Sequence, residues 1–314
     1  MKTLNIYHSR DLDGWCSAAI VKYWHNIEKN KLAEANSLGF NLSEIDFIGW
    51  DYGQPIPNWK IYDEIIMCDI SFKPEEMNAM IKAGKKLIWL DHHNSSILDV
   101  YNYFTKEKLE LPDGIRNEKF AACELTWQYF FKDIPTPKAV EYLGLYDSFR
   151  HKAEMDAIGQ QEVLEFQYAA RSYISELQDF PMDLLKSNKS EFIVVNYIKD
   201  GKAIYHYLLM DAREIYKKKI EIIIDGYKFC GFNAERFNPI NFKIDYHKDG
   251  YDGALCFWYD KEKSGWNFSF YNDNSKVDCS LIAKKYGGGG HVGASGAVIK
   301  DNPLEDYIKN LLKI

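Results

Sequence analysis

The sequence predicts an α/β protein: an N-terminal parallel sheet with helices on both faces, a helical linker, and a smaller C-terminal mixed α/β domain with a glycine-rich loop. Three observations predict it. Short apolar runs alternate with segments of helical spacing through the first 150 residues, a pattern that implies parallel strands covered by helices. A long helical pattern follows, carried by Ile193, Tyr197, Ile204, Leu208 and Ile215. After Gly226 the chain turns to segments that alternate apolar and polar residues, as strands with one wet face do. The expected boundaries are 1–190, 191–225 for the linker, and 226–314.

Each element has its own signal. Strands are predicted at 3–7, 46–50, 65–68 and 87–90, where apolar residues run together. A helix is predicted from Gly14 onward, through Trp15, Ala18, Ala19, Ile20, Val21 and Trp24. Pro74 opens another that runs to Ala83, with Gly84 just past its end, which is the usual asymmetry of proline at the start and glycine at the stop. Spacing is helical again at 120–131 and 137–146, leaving Asp147 at the end of either a helix or a short strand. Residues 152–190 are helical in flavour, with Phe180-Pro181 as a break. The long helix ends in Lys217-Lys218-Lys219, where positive charge suits a helix C-terminus. Strands at 227–232, 254–259 and 266–271 follow, the last two joined as a hairpin through 261–265. A short helix at 280–286 leads into four glycines, Gly287 to Gly290, and His291.

A chain of 314 residues can bury a core that needs no disulfides. Cys16, Cys68, Cys123, Cys230, Cys256 and Cys279 are scattered singly with no Cys-x-x-Cys pair, which fits a reducing cytoplasm. The N-terminus lacks the apolar stretch of a signal peptide, and no segment is apolar enough to span a membrane, so a soluble, cytoplasmic chain with no membrane partner is expected. With 46 acidic and 39 basic residues the net charge is −7, which argues against coating duplex DNA but not against binding short or single-stranded nucleic acid. The sequence is silent on oligomeric state.

Chemistry gathers at the strand ends. Asp91-His92-His93 follows Leu87-Ile88-Trp89-Leu90; His8, Asp11 and Asp13 follow Leu4-Asn5-Ile6-Tyr7; Asp69 follows Ile65-Ile66-Met67-Cys68; and Asp147 follows Leu143-Gly144-Leu145-Tyr146. Any one of these aspartates could simply form a turn or cap a helix. Together they make a metal site, because the carboxyl ends of parallel strands line one crevice. Imidazole mixed with carboxylate favours manganese, or iron or cobalt, over magnesium, which prefers oxygen alone; manganese is the expected ion, with magnesium or cobalt as alternatives.

These residues resemble the motifs of the DHH phosphoesterases. His8-Ser9-Arg10-Asp11-Leu12-Asp13-Gly14 is similar to the first motif, Asp69 to the second, Asp91-His92-His93 to the third and Asp147 to the fourth, while Gly287 to His291 resembles the signature of the DHH-associated C-terminal domain. The likeness is nearest to the nanoRNase B-like members. It implies two metal ions, one held by His8, Asp11 and Asp69 and the other by Asp13, Asp69, His92 and Asp147, with Asp69 bridging. Asp91 is then expected to orient an imidazole, and His93 to face the phosphate. Gly288, Gly289, Gly290 and His291 are expected to meet the substrate, joined by Tyr271, which stands where relatives commonly carry an arginine. Arg150 or Arg171 could replace that missing charge. Asn94 stands where relatives often carry lysine.

The expected activity is metal-dependent hydrolysis of short oligonucleotides or of cyclic or linear dinucleotides in a cleft between the domains. The alternatives are an exopolyphosphatase or other small phosphate-ester hydrolase, and a catalytically silent nucleic-acid-binding protein of the same fold.

Overall fold

A computed structural model describes residues 2–35, 44–235, 237–261, 263–274 and 276–300. The chain divides into two compact units, Met1–Tyr205 and His206–Ile314.

The first unit is built on four parallel strands, β1 (Lys2–His8), β2 (Glu44–Trp50), β3 (Glu64–Cys68) and β4 (Lys86–Leu90), in the order β2-β1-β3-β4. Both faces are covered, which is why apolar residues predominate at successive positions of the strands. Leu4, Ile6, Ile65, Met67, Leu87 and Trp89 pack against helices α2 (Pro74–Lys82) and α3 (Asn94–Lys106) through Met77, Met80, Val100 and Phe104. Alternate residues Ile66, Cys68, Ile88 and Leu90 face the other way, toward α1 (Leu12–Ala35), α4 (Ala122–Phe130) and α5 (Lys138–Asp147). Each such side chain, buried on one of the two faces, contributes about 1.5–3 kcal/mol. A short helix α6 (His151–Glu154) and the longer α7 (Ala157–Tyr173) complete this layer before α8 (Ser187–Lys217) begins.

Parallel pairing puts every carboxyl end on one edge. His8 aligns with Trp50, Tyr7 with Cys68, and Cys68 with Leu90, so the residues that follow each strand emerge side by side.

The second unit holds a mixed sheet of β5 (Ile220–Ile224), β6 (Tyr227–Asn233), β7 (Gly253–Asp260), β8 (Gly265–Tyr271), β9 (Gly289–Gly290) and β10 (Ala294–Ile299), in the order β5-β6-β7-β8-β10-β9. Only the β6–β7 pair is parallel among these described strands. Helix α9 (Cys279–Lys285) covers one face, burying Phe229, Leu255, Phe270, Val277 and Ile282 together.

Several expectations change. The boundary between units falls within α8, and the range 191–225 holds β5 as well as helix, so it is not a helical linker alone. Asp225 and Gly226 both adopt positive φ, closing a β5–β6 hairpin where a domain boundary was expected. Helix α3 and strand β10 went unpredicted, and Asp147 ends a helix. Residues 301–314, the end of the expected C-terminal domain, lie outside the described residues. All six cysteines are free and buried, and among the described residues no helix is long and apolar enough to cross a membrane.

Candidate metal centre

The edge of the parallel sheet gathers Asp13, Asp69 and Asp147 around one imidazole, that of His92. Nε2 of His92 lies 3.5 Å from Asp13 Oδ2, 3.3 Å from Asp69 Oδ1 and 3.3 Å from Asp147 Oδ2. A second group adjoins it. Nδ1 of His8 lies 3.2 Å from Asp11 Oδ2 and 3.4 Å from Asp69 Oδ2. Asp69 therefore offers one oxygen to each group.

Local structure explains each placement. Gly14, in the first turn of α1, lies so close to β1 that a Cβ there would sit 2.0 Å from the carbonyl oxygen of His8, and this tight turn brings His8 back over Asp11. Asp11 caps α1, accepting from the amide of Gly14 at 3.1 Å. Asp13 does the same for another helix. Ala121 precedes α4 without a side-chain acceptor of its own, and both carboxylate oxygens of Asp13 replace it, taking the amides of Ala122 at 2.9 Å and Cys123 at 2.7 Å. Asp69 adopts a left-handed backbone conformation, φ 60°, and its amide donates to Leu90 O at 2.9 Å. Aspartate tolerates that region better than most residues.

Asp91 is fully occupied. It accepts from Trp89 Nε1 at 3.1 Å, from the amides of His92 at 2.8 Å and His93 at 3.1 Å, and lies 2.8 Å from His93 Nδ1. That last contact favours a proton on Nδ1 of His93 and fixes the ring.

The electrostatics follow from burial of like charges. Burial, followed by the charges of Asp69 and Asp147, pushes the Asp13 carboxyl well above its ordinary range. Burial likewise raises Asp147 to about 6. Burial opposes protonation of His92, but Asp69, Asp147 and Asp13 outweigh it and raise the imidazole to about 10. His8 is raised in the same way, with Asp11, Asp51 and Asp69 overcoming burial. Asp69 goes down: burial resists, and the neighbouring His8 and His92 prevail. In effect, protons on imidazoles offset charge that a dication could offset instead.

The residues fit such an ion. Asp69 Oδ1 and His8 Nδ1 are buried with no partner in hydrogen-bond geometry, an arrangement that is costly unless something else engages them. The donors His8, Asp11 and Asp69 lie within 4.8 Å of one another, as do those of Asp13, His92 and Asp147. Mixed imidazole and carboxylate donors suit a divalent transition ion.

Sequence reasoning passed over Asp51. It follows β2 as Asp69 follows β3, is buried, and lies 3.7 Å from His8 Nε2 while accepting from Arg10 Nε at 2.8 Å. The strand-end rule that selected the other aspartates would have found it.

Other expected residues have different surroundings. Arg150 donates to Glu124 Oε1 at 2.6 Å and reaches Glu154 at 3.3 Å, so its charge is already engaged. In the second unit, Tyr271 closes β8, paired between Ala254 and Ala294. The glycine run is partly sheet: Gly289 and Gly290 pair with Gly296 and Ser295. Amides of Gly287, Gly288 and His291 donate to Lys284, Ala283 and Ala294. A Cβ on Gly288 would lie 2.0 Å from Gly296 O, so that glycine is required by close packing.

No protein-family model matches the chain. An uncharacterized protein of Acanthamoeba polyphaga mimivirus is 25% identical over 309 residues, covering 93% of this chain and 66% of the relative, so the chain spans a little under two thirds of that relative's length. Among solved structures, a pGpG-specific phosphodiesterase, PggH from Vibrio cholerae, is 15% identical with a TM-score of 0.45, covering 100% of this chain and 98% of that one. An exopolyphosphatase-related protein from Bacteroides fragilis is 13% identical with a TM-score of 0.42, covering 100% and 94%. RecJ from Thermus thermophilus in complex with Mg2+ is 13% identical with a TM-score of 0.40, covering 98% of this chain and 48% of that one. Likenesses of this degree decide nothing about activity.

Proposed function

We propose that the chain is a metal-dependent phosphodiesterase of the DHH type, hydrolysing short oligonucleotides or cyclic or linear dinucleotides. One observation carries this reading: the two oxygens of Asp69 point to separate donor groups, Oδ2 to His8 and Oδ1 to His92. A shared carboxylate between two clusters is what a pair of cations needs. His8, Asp11 and Asp69 would hold one ion and Asp13, Asp69, His92 and Asp147 the other, manganese being the best match to these donors. Such ions, when bound, polarise a phosphoryl oxygen and lower the pKa of water toward about 7.

The remaining roles fall to this chain's own groups. Asp91 fixes the His93 ring through Nδ1, and Nε2, when it carries a proton, donates to a phosphoryl oxygen of the substrate. Gly289, Gly290 and His291 at the edge of the second sheet, with Tyr271, are proposed as further substrate contacts, and Gly288 as the residue that lets that edge form. An aromatic ring at Tyr271 would suit a nucleobase, since stacking is indifferent to sequence.

A screen with manganese decides between substrates. Release of mononucleotides from the 5′-phosphorylated dinucleotide pApA, or from a cyclic dinucleotide, is the expected result. Phosphate release from polyphosphate alone would replace the phosphodiesterase reading with a polyphosphatase one. Inactivity on every phosphate ester, with metal bound, would leave a silent binding protein.

A further inference from the structure

Of the two arginines that could supply a missing positive charge, one is taken and the other is open. Arg150 is paired with Glu124, as described. Arg171 lies in the last turn of α7 and is exposed, and its guanidinium makes no hydrogen bond or ion pair with any described residue. Two rings hold it instead. Its Cζ stands 5.2 Å from the ring centre of Tyr146 and 5.7 Å from that of Tyr168, and Tyr168 is itself buried. Tyr146 is the immediate neighbour of Asp147 in the chain, and Asp11 and Asp147 are among the charges that act on this cation.

We propose that Arg171 is a substrate-binding residue of the same site, gripping a phosphate adjacent to the one that lies on the metal ligands. This rests on the phosphodiesterase reading above. Two rings beside the guanidinium restrict its motion without consuming its hydrogen-bond donors, and those donors match a phosphate bidentately. Its lack of a carboxylate partner decides which phosphate it meets: one beside the metal ligands rather than on them. Among the described residues no ion pair joins Arg171 to Asp11 or Asp147, so its guanidinium is not spent on those carboxylates. Yet the charges are within mutual influence: crowding by protein disfavours the guanidinium charge, and Tyr146, Tyr168, Asp11 and Asp147 together more than restore it. A cation near these carboxylates yet paired with none of them is available to a second anion. In a linear dinucleotide that anion is the terminal phosphate.

The test uses two substrates differing only in that group, pApA and ApA, on the full chain with manganese. Wild type should prefer pApA. Arg171→Gln should raise KM for pApA about tenfold to a hundredfold, the worth of a charge-assisted hydrogen bond, and leave KM for ApA and manganese affinity by calorimetry near wild type. Arg171→Lys should fall between them. The inference is overturned if wild type does not discriminate between the two, if Arg171→Gln keeps the preference, or if it weakens both substrates alike. Wild type that binds manganese and cleaves neither removes the parent reading, and this one with it.

Discussion

The strand ends of the first unit and the glycine run of the second are both conspicuous in sequence, and they are built on opposite principles. At the strand ends the fold crowds Asp13, Asp69 and Asp147 around His92 and leaves Asp69 Oδ1 buried with no donor in hydrogen-bond geometry. At the glycine run the amides of Gly287, Gly288 and His291 are already spent on protein carbonyls. A buried acceptor with no donor in hydrogen-bond geometry is costly, so the first region carries donors able to engage an ion, whereas these amides of the second are satisfied within the protein. The contrast separates a carboxylate oxygen left without a donor from backbone amides that already have acceptors.

The sharpest way to break the contrast is Asp69→Ala. Turnover should fall by at least about a thousandfold and manganese retention should go with it, since both donor groups lose their common member. Near-normal activity with metal retained would remove the bridging role.

Next comes a comparison inside the site. Asp13 caps α4 as well as facing His92, so Asp13→Ala should lower the stability of metal-free protein by about 1–2 kcal/mol, read by denaturant titration in the presence of a chelator. Asp147, partly exposed, has no such structural duty, and Asp147→Ala should leave metal-free stability unchanged or raise it by relieving repulsion. Equal losses in the two variants would refute the division of labour.

Proton linkage gives a third, smaller effect. His92 is raised to about 10 in the metal-free fold, so its contribution to stability is fully present below its ordinary value of 6.5 and is lost as pH rises toward 10. Asp147, raised to about 6 from 3.8, likewise favours the metal-free fold at low pH and loses that contribution as pH rises through 6. Metal must displace these protons. Manganese affinity should therefore climb with pH between 6 and 10, and calorimetry in buffers of different ionisation heat should show proton release at pH 7.

The smallest effects belong to the second unit. His291→Ala should raise KM severalfold and leave bound manganese unchanged. Gly288→Ala, by contrast, should act on folding, because its added Cβ would meet the backbone at Gly296. Loss of manganese in the Gly288 variant, with the fold intact by circular dichroism, would contradict that separation.

Much of the first unit was legible because parallel strands buried on both faces read as unbroken apolar runs, and because their common direction makes every strand end a neighbour of the next. That geometry brings Asp69 and Asp91 together from sequence alone. Helix α3 was hidden by its polar opening, Asn94-Ser95-Ser96, directly behind the histidine pair. Strand β5 follows the lysine run of a long helix, and its Ile220 and Ile223 are exposed, so no alternation announces it. Strand β10 is written in small residues, Ala294-Ser295-Gly296-Ala297, which carry little strand preference. Arg150 and Arg171 could not be told apart, since what distinguishes them is Glu124, a residue on another helix.

The positive φ at Asp69 narrows what that position can be. Asparagine would accept the backbone twist but bring half the acceptor strength and no charge; glutamate would bring the charge but resist the twist and overreach by one methylene. Transplanting this chemistry to another scaffold would thus require moving the whole bend after β3, together with the Leu90 carbonyl that fastens it, since the side chain by itself carries only part of the specification.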